Sequence, residues 1–310
     1  MKNPFFNVEE QRLCSLLRII LFLFLFSFGV ALPSLIPYTA LQFIGISLIT
    51  LGLYYVMFRF VDQRSWDLAG LSLNSTWMKE LFAGIIIAAA VMGVIFLVIW
   101  QTNGLDINGF GWERNGQRFW LIPILVFLVQ MSSVGFYEEL LSRGYLIPNI
   151  KEGLTIGQIT PFQATLISVF LSSALFGMAH AANPDASITA VINILLAGIM
   201  LAIPFVITGR LALSIGLHFS WNFFQGGIFG FRVSGMEIRN SIIQIQQKGP
   251  EWWTGGSFGP EAGLTGVLGI LLIIILSLVY LRYTGVDLTA ESFFTKSYSE
   301  YNQTGKTKIT

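Results

Sequence analysis

Apolar runs of roughly twenty residues recur along most of the chain, parted by short polar connections. That is the length at which a helix crosses a hydrocarbon core of about 30 Å. Eight such spans are predicted, at 14–32, 38–60, 79–100, 118–147, 162–182, 187–207, 209–230 and 264–283. Pro33 and Pro37 mark the first turn, Pro148 and Pro161 bracket a loop after span four, and Asn183-Pro184 ends span five. The fold class is therefore all-α, a polytopic integral membrane helical bundle. Outside the spans, RSWDLAGLSLNS (64–75) reads as an interfacial turn or short helix. The 231–262 segment is rich in glycine and tryptophan, with Trp252 and Trp253 placed to anchor at headgroup level. The tail after 284 is polar and charged and is expected to be mobile.

Composition agrees. Apolar residues make up 54% of the 310 and charged residues only 11%, where a soluble chain would carry roughly a quarter. A net charge of +1 gives no bias toward nucleic acid. The single cysteine, Cys14, excludes an intramolecular disulfide and a multi-cysteine metal site, and reads as a small apolar filler. Lys2 and Arg12 precede the first apolar run, as in a signal peptide. Glu9 and Glu10, the length of the run and the lack of an A-x-A site favour a retained span. With eight spans both termini share a side, and segments on that side hold 13 of the 18 Lys and Arg. Cytoplasmic termini follow, although Arg114, Arg118, Arg232, Arg239 and Lys248 fall in the outer loops. Four segments result: membrane helices one to three (1–117), a core of spans four to seven (118–230), an outer loop with the last span (231–284), and the tail (285–310).

Ionisable and amide groups inside spans are costly, so each needs a reason. Three clusters stand out: Glu138-Glu139-x-x-x-Arg143 in span four, Phe176-x-x-x-His180 near the end of span five, and His218-x-x-x-Asn222 in span seven. Glu139 and Arg143, four apart, share a helix face and suit an ion pair. Glu138 points roughly 100° away and is left to face a cavity. His218 and Asn222, one turn apart, face one space. Singly, each cluster also suits a structural role, such as a snorkelling pair or a histidine bonded to a neighbouring helix. Together they favour a site, because the chain's only two histidines both lie in spans beside a glutamate doublet.

FYEELLSRGYL resembles the EExxxR motif of the CPBP family, the CAAX prenyl and bacteriocin-processing intramembrane proteases once called Abi proteins. ALFGMAH resembles its FxxxH motif and LHFSWN its HxxxN motif, in the same order. TGGSFGPEAGL is similar to a loop before the last span in many members, and RSWDLAGLSL gives a loose likeness near the start. Ser142 stands where many members carry phenylalanine. The resemblance implies an intramembrane endopeptidase in the bacterial inner (plasma) membrane. Glu138 and His180 would activate water, and His218 and Asn222 would stabilise the oxyanion, with Glu139, Arg143 and Phe176 in support. Peptide substrate and lipid bilayer are the implied partners. Two mechanisms stay open: a metal-free glutamate route, or Zn2+ held by Glu138, His180 and His218, an ordinary catalytic ligand set.

A shared site sets a geometric demand. Glu138 lies about nine residues, or ~14 Å, from the inner end of span four, whereas His180 lies some 18 residues, or ~27 Å, into span five. Either span five begins with a submerged or interfacial segment or span four breaks near Gly135. Catalytic sharing requires His180 within ~12 Å of Glu138 or His218. Two other functions fit a polar core in a membrane bundle: a non-catalytic immunity or scaffolding protein, and a proton-coupled carrier. No duplicated halves speak for the carrier.

Overall fold

The computed structural model describes residues 5–7, 11–113, 119–154 and 159–288. Lys2, Glu9, Glu10, Arg114, Arg118 and the tail from 289 onward lie outside the described residues. Among the described residues, seven helices are long and apolar enough to cross a membrane. In chain order the helices are α1 (Ser15–Ala31), α2 (Thr39–Val56), α3 (Ser75–Gln101), α4 (Leu121–Leu154), α5 (Pro161–Ala179), α6 (Ile188–Thr208), α7 (Ala212–Phe223) and α8 (Leu264–Tyr283). All but α7 are of crossing length.

The predicted span at 209–230 thus becomes a short central helix. Gly209, in left-handed conformation at φ 69°, ends α6, and after Phe223 the chain widens into one loose turn over Phe224–Ile228. Ten of the twelve α7 residues are buried, packed by α3, α4 and α6. Its two serines are satisfied by neighbours: the Ser214 hydroxyl donates to the Leu201 carbonyl (2.7 Å) and that of Ser220 to the Ile85 carbonyl (2.7 Å). A helix wrapped by protein need not match the bilayer thickness, and small residues let the backbones close in. Gly135 of α4 is one such contact, since a Cβ there would sit 2.8 Å from the Phe219 nitrogen.

Span four is longer than predicted. It stays helical to Leu154, widening over Leu140–Leu146 and carrying Pro148 inside. A proline within a helix has no N–H for the carbonyl four residues back. That carbonyl, Gly144, accepts instead from the Tyr54 hydroxyl (3.3 Å). The loop expected at Pro148 therefore begins a turn and a half later.

Two short antiparallel pairs interrupt the all-helical pattern. Phe6–Asn7 (β1) pairs with Arg12–Leu13 (β2), and Leu105–Phe110 (β3) with Ile243–Gln247 (β4), the latter irregular between Ile107 and Gly109. The second pair joins the 231–262 segment to the connection after α3. There Trp252 is exposed, and Trp253 donates from its indole to the Thr102 hydroxyl (3.0 Å). In the 64–75 stretch, Trp66–Leu68 form one tight turn and the Asn74 side chain caps α3.

Candidate active site

Glu138 and Glu139 lie on the last turn of α4 before it widens. The Glu139 carboxylate is fully buried, and its Oε1 accepts from Arg143 Nη1 (2.9 Å), the pairing that the four-residue spacing predicts. The same oxygen accepts from His218 Nδ1 (2.8 Å), a contact between α4 and α7 that spacing alone does not reveal. Arg143 is anchored further by donating from Nη2 to the Gly198 carbonyl (2.8 Å) and by lying over the Phe176 ring, 4.7 Å from its centroid. A buried carboxylate with two charged or polarised donors avoids much of the desolvation penalty that a lone one would meet.

Glu138 turns away, as helical geometry requires. Its Oε2 lies 3.8 Å from His218 Nε2 and has no hydrogen-bond partner among the described residues. Because Nδ1 of His218 gives its proton to Glu139, Nε2 is the nitrogen presented to Glu138. His180 lies in a tight turn at the end of α5, with Nδ1 donating to the Phe176 carbonyl (2.8 Å). A carbonyl can only accept, so Nδ1 carries the proton and Nε2 is left as acceptor.

Phe176 stands between the two imidazoles. Its ring centroid is 4.9 Å from that of His180 and 5.8 Å from that of His218. Laid end to end, those distances fall short of the ~12 Å limit for a shared site. Span four does not break near Gly135, which lies within continuous helix. Because α4 runs on to Leu154, α5 starts beside its far end, and the Ser172 hydroxyl donates to the Ser142 carbonyl (2.7 Å). Running antiparallel from that tie, α5 carries His180 past Ser142 to the cavity that Glu138 also lines.

Glu138, His180, His218 and Asn222 all line one cavity of about 520 Å³. Much of its remaining wall is apolar, including Leu23 and Phe26 of α1, Val134 and Leu141 of α4, and Leu175 of α5. Further polar side chains line it, among them Gln130, Asn183, Asn193, Ser234 and Glu261. Glu261 Oε2 accepts from the Ser234 backbone N–H (2.6 Å) and hydroxyl (3.1 Å), while its main-chain carbonyl accepts from Asn193 (2.9 Å). Burial pushes the Glu261 carboxyl above its ordinary range, against the lowering by the Ser234 donors and by His180. In the sequence Glu261 is one acid in a glycine-rich loop, and only the likeness of TGGSFGPEAGL to a family loop set that stretch apart.

Among the described residues, no three His, Cys, Asp or Glu side chains are arranged to hold a metal ion. Each histidine bonds a protein acceptor through Nδ1 and leaves Nε2 without one among the described residues, an arrangement that metal-ligating histidines also use.

Residues 119–224 match the family described as type II CAAX prenyl endopeptidase Rce1-like. The match covers all three motifs and agrees with the resemblance they carry. No curated protein and no solved structure matches the chain.

Proposed function

We propose that this protein is an intramembrane endopeptidase hydrolysing a peptide bond of a membrane-associated or hydrophobic peptide, by a water activated at Glu138 and His180. The observation carrying the reading is the convergence of Glu138, His180, His218 and Asn222 on one largely apolar cavity. A carboxylate there, with no donor on Oε2, is a base available to a water proton. His180 Nε2 is an acceptor for the same water. Across the cavity the Asn222 amide and the His218 ring face the bond, the ring acting as an imidazolium with Nδ1–H bonded to Glu139 and Nε2–H left to donate. Donors fixed before reaction, in a site that excludes bulk water, stabilise an oxyanion without reorganising. Glu138 then returns the proton to the leaving amine.

The Rce1-like match supports proteolysis of the CAAX type and says nothing of which peptide this chain cleaves. The apolar wall supports a greasy substrate. Cytoplasmic termini belong to the same proposal, on the distribution of Lys and Arg. In that count α7, though short, is a passage, because it returns the chain to β4, which pairs with β3 after α3. A bacterial inner-membrane location rests on the family resemblance.

The test compares wild type with Glu138→Gln and His218→Ala at matched membrane expression. Both should abolish cleavage of a reporter peptide while leaving a folded protein. Cleavage surviving either substitution would sink the proposal.

A further inference from the structure

The turn that carries His180 is braced from outside by a carboxyl that takes no part in the proposed chemistry. We propose that Glu261 is a positioning residue for His180, acting through the Ser234 turn. This rests on His180 belonging to the catalytic set.

His180 is weakly placed by its own helix. It opens a single tight turn, His180–Ala182, past the last turn of α5, and its ties to α5 are Nδ1 to the Phe176 carbonyl and the Phe176 ring. Segments of that kind open at low free energy unless something packs them down. What packs this one is the turn at 233–236. Asn183, just past the His180 turn, donates from its amide to the Ser234 carbonyl (3.0 Å). Gly235, at φ 82°, lies directly against Pro184, whose carbonyl oxygen would be 1.8 Å from any Cβ placed there.

The bracing turn is itself under strain. Ser234 adopts φ 48°, a region that non-glycine residues occupy at a cost of order 1–3 kcal/mol. Such a conformation persists only where its surroundings fix it. Val233 and Met236 bond each other across the turn (3.1 and 2.9 Å), and Gly235 N–H donates to the Phe258 carbonyl (2.8 Å). The side chain that grips Ser234 is Glu261, through both the backbone N–H and the hydroxyl. Glu261 is fixed in turn by Asn193 of α6. The contacts thus run from α6 through Asn193, Glu261, Ser234 and Asn183 to the His180 turn, and each of those residues also lines the cavity.

His180 and His218 are the chain's only histidines, so histidine-selective 15N/13C labelling gives two imidazoles to follow in protein prepared without a histidine tag. Assignment uses His218→Ala. In the wild type His180 should show one Nδ1–H tautomer. Glu261→Ala should shift, broaden or split the His180 signals and leave those of His218 in place. It should also lower kcat by about 10²-fold, the scale of a 1 Å misplacement, with KM within about twofold. Glu261→Gln keeps an oxygen acceptor at the same reach and should restore both readouts. Asn183→Ala cuts the same relay nearer to His180 and should reproduce the His180 signature even where Glu261→Ala fails to fold. Unchanged His180 signals in Glu261→Ala or in Asn183→Ala overturn the proposal. So does a rise in KM at constant kcat, which would make Glu261 a substrate contact. A wild type that cleaves no reporter peptide counts against the proteolytic reading alone, because the imidazole signals are read without substrate.

Discussion

Glu138 and Glu139 are neighbours in the chain but meet different partners, so substitution at each has a distinct expected outcome. Glu138 is partly open to the cavity, and its Oε2 accepts no hydrogen bond among the described residues. Its loss removes an uncompensated charge. Glu138→Gln should therefore lower cleavage by about 10²–10⁴-fold, the range for a lost general base, without lowering the unfolding temperature in detergent. Glu139 is fully buried and holds both Arg143 and His218. Glu139→Gln leaves a buried guanidinium short of its counter-charge, which costs about 3–5 kcal/mol. Its amide can also face His218 with the wrong tautomer, lowering cleavage by about 10²-fold or more. Activity and thermal stability measured together separate the two: Glu138→Gln should lose only the first, Glu139→Gln both. Equal loss of stability in the two variants would contradict this division of roles.

Among the elements, the contact of α4 with α7 decides whether the site exists, because it brings Glu139 to His218. Gly135 lies one turn before Glu139, and a Cβ there meets the backbone of Phe219, the residue after His218. Even Gly135→Ala must part the helices, at about 1–3 kcal/mol for overpacking, and should reduce cleavage more than a Gly→Ala change at exposed Gly52. Comparing unfolding temperature and kcat for the two variants checks this; equal behaviour would mean that the α4–α7 approach is not critical. The helices and their order are legible in the sequence because apolar length is a strong signal, and the Glu139–Arg143 pair because one helix fixes it. The Glu139–His218 bond is not legible, since it depends on the depth at which two helices meet. The approach of His180 is likewise hidden, since α5 starts where it does because Pro148 is absorbed into α4, where proline normally reads as a helix end. The β3–β4 pair left a trace in the alternation of IIQIQQ, too short to stand against a helical prior.

At the scale of the whole molecule, α1 is both a wall of the cavity and its least buried crossing. Leu23 and Phe26 line the cavity, yet only 11% of the α1 span is buried. What holds it is a charge network at its start. The fully buried Arg18 pairs with Asp62 past the end of α2 and with Glu152 of α4, and Arg12 and Arg64 join Glu152 at 3.0 and 2.8 Å. Nearer the middle, Phe22 stacks on Tyr145 with centroids 3.9 Å apart. Helices surrounded by lipid gain little from apolar contact alone, so removing Arg18 should loosen α1 far more than its contact area suggests. Arg18→Ala strips Asp62 of a buried partner, a loss of about 3–5 kcal/mol. Cys14, the only cysteine, caps the start of α1 and is partly buried, so it reports the event directly. Maleimide labelling of Cys14 in native membranes should accelerate about tenfold or more in Arg18→Ala, as expected when local opening becomes that much cheaper. Cleavage should fall in step as the cavity loses a wall. A conservative Arg18→Lys keeps one charge and should lie between. Labelling at the wild-type rate in Arg18→Ala would show that α1 is held by its apolar face after all, with the Phe22–Tyr145 stack as the contact to remove next.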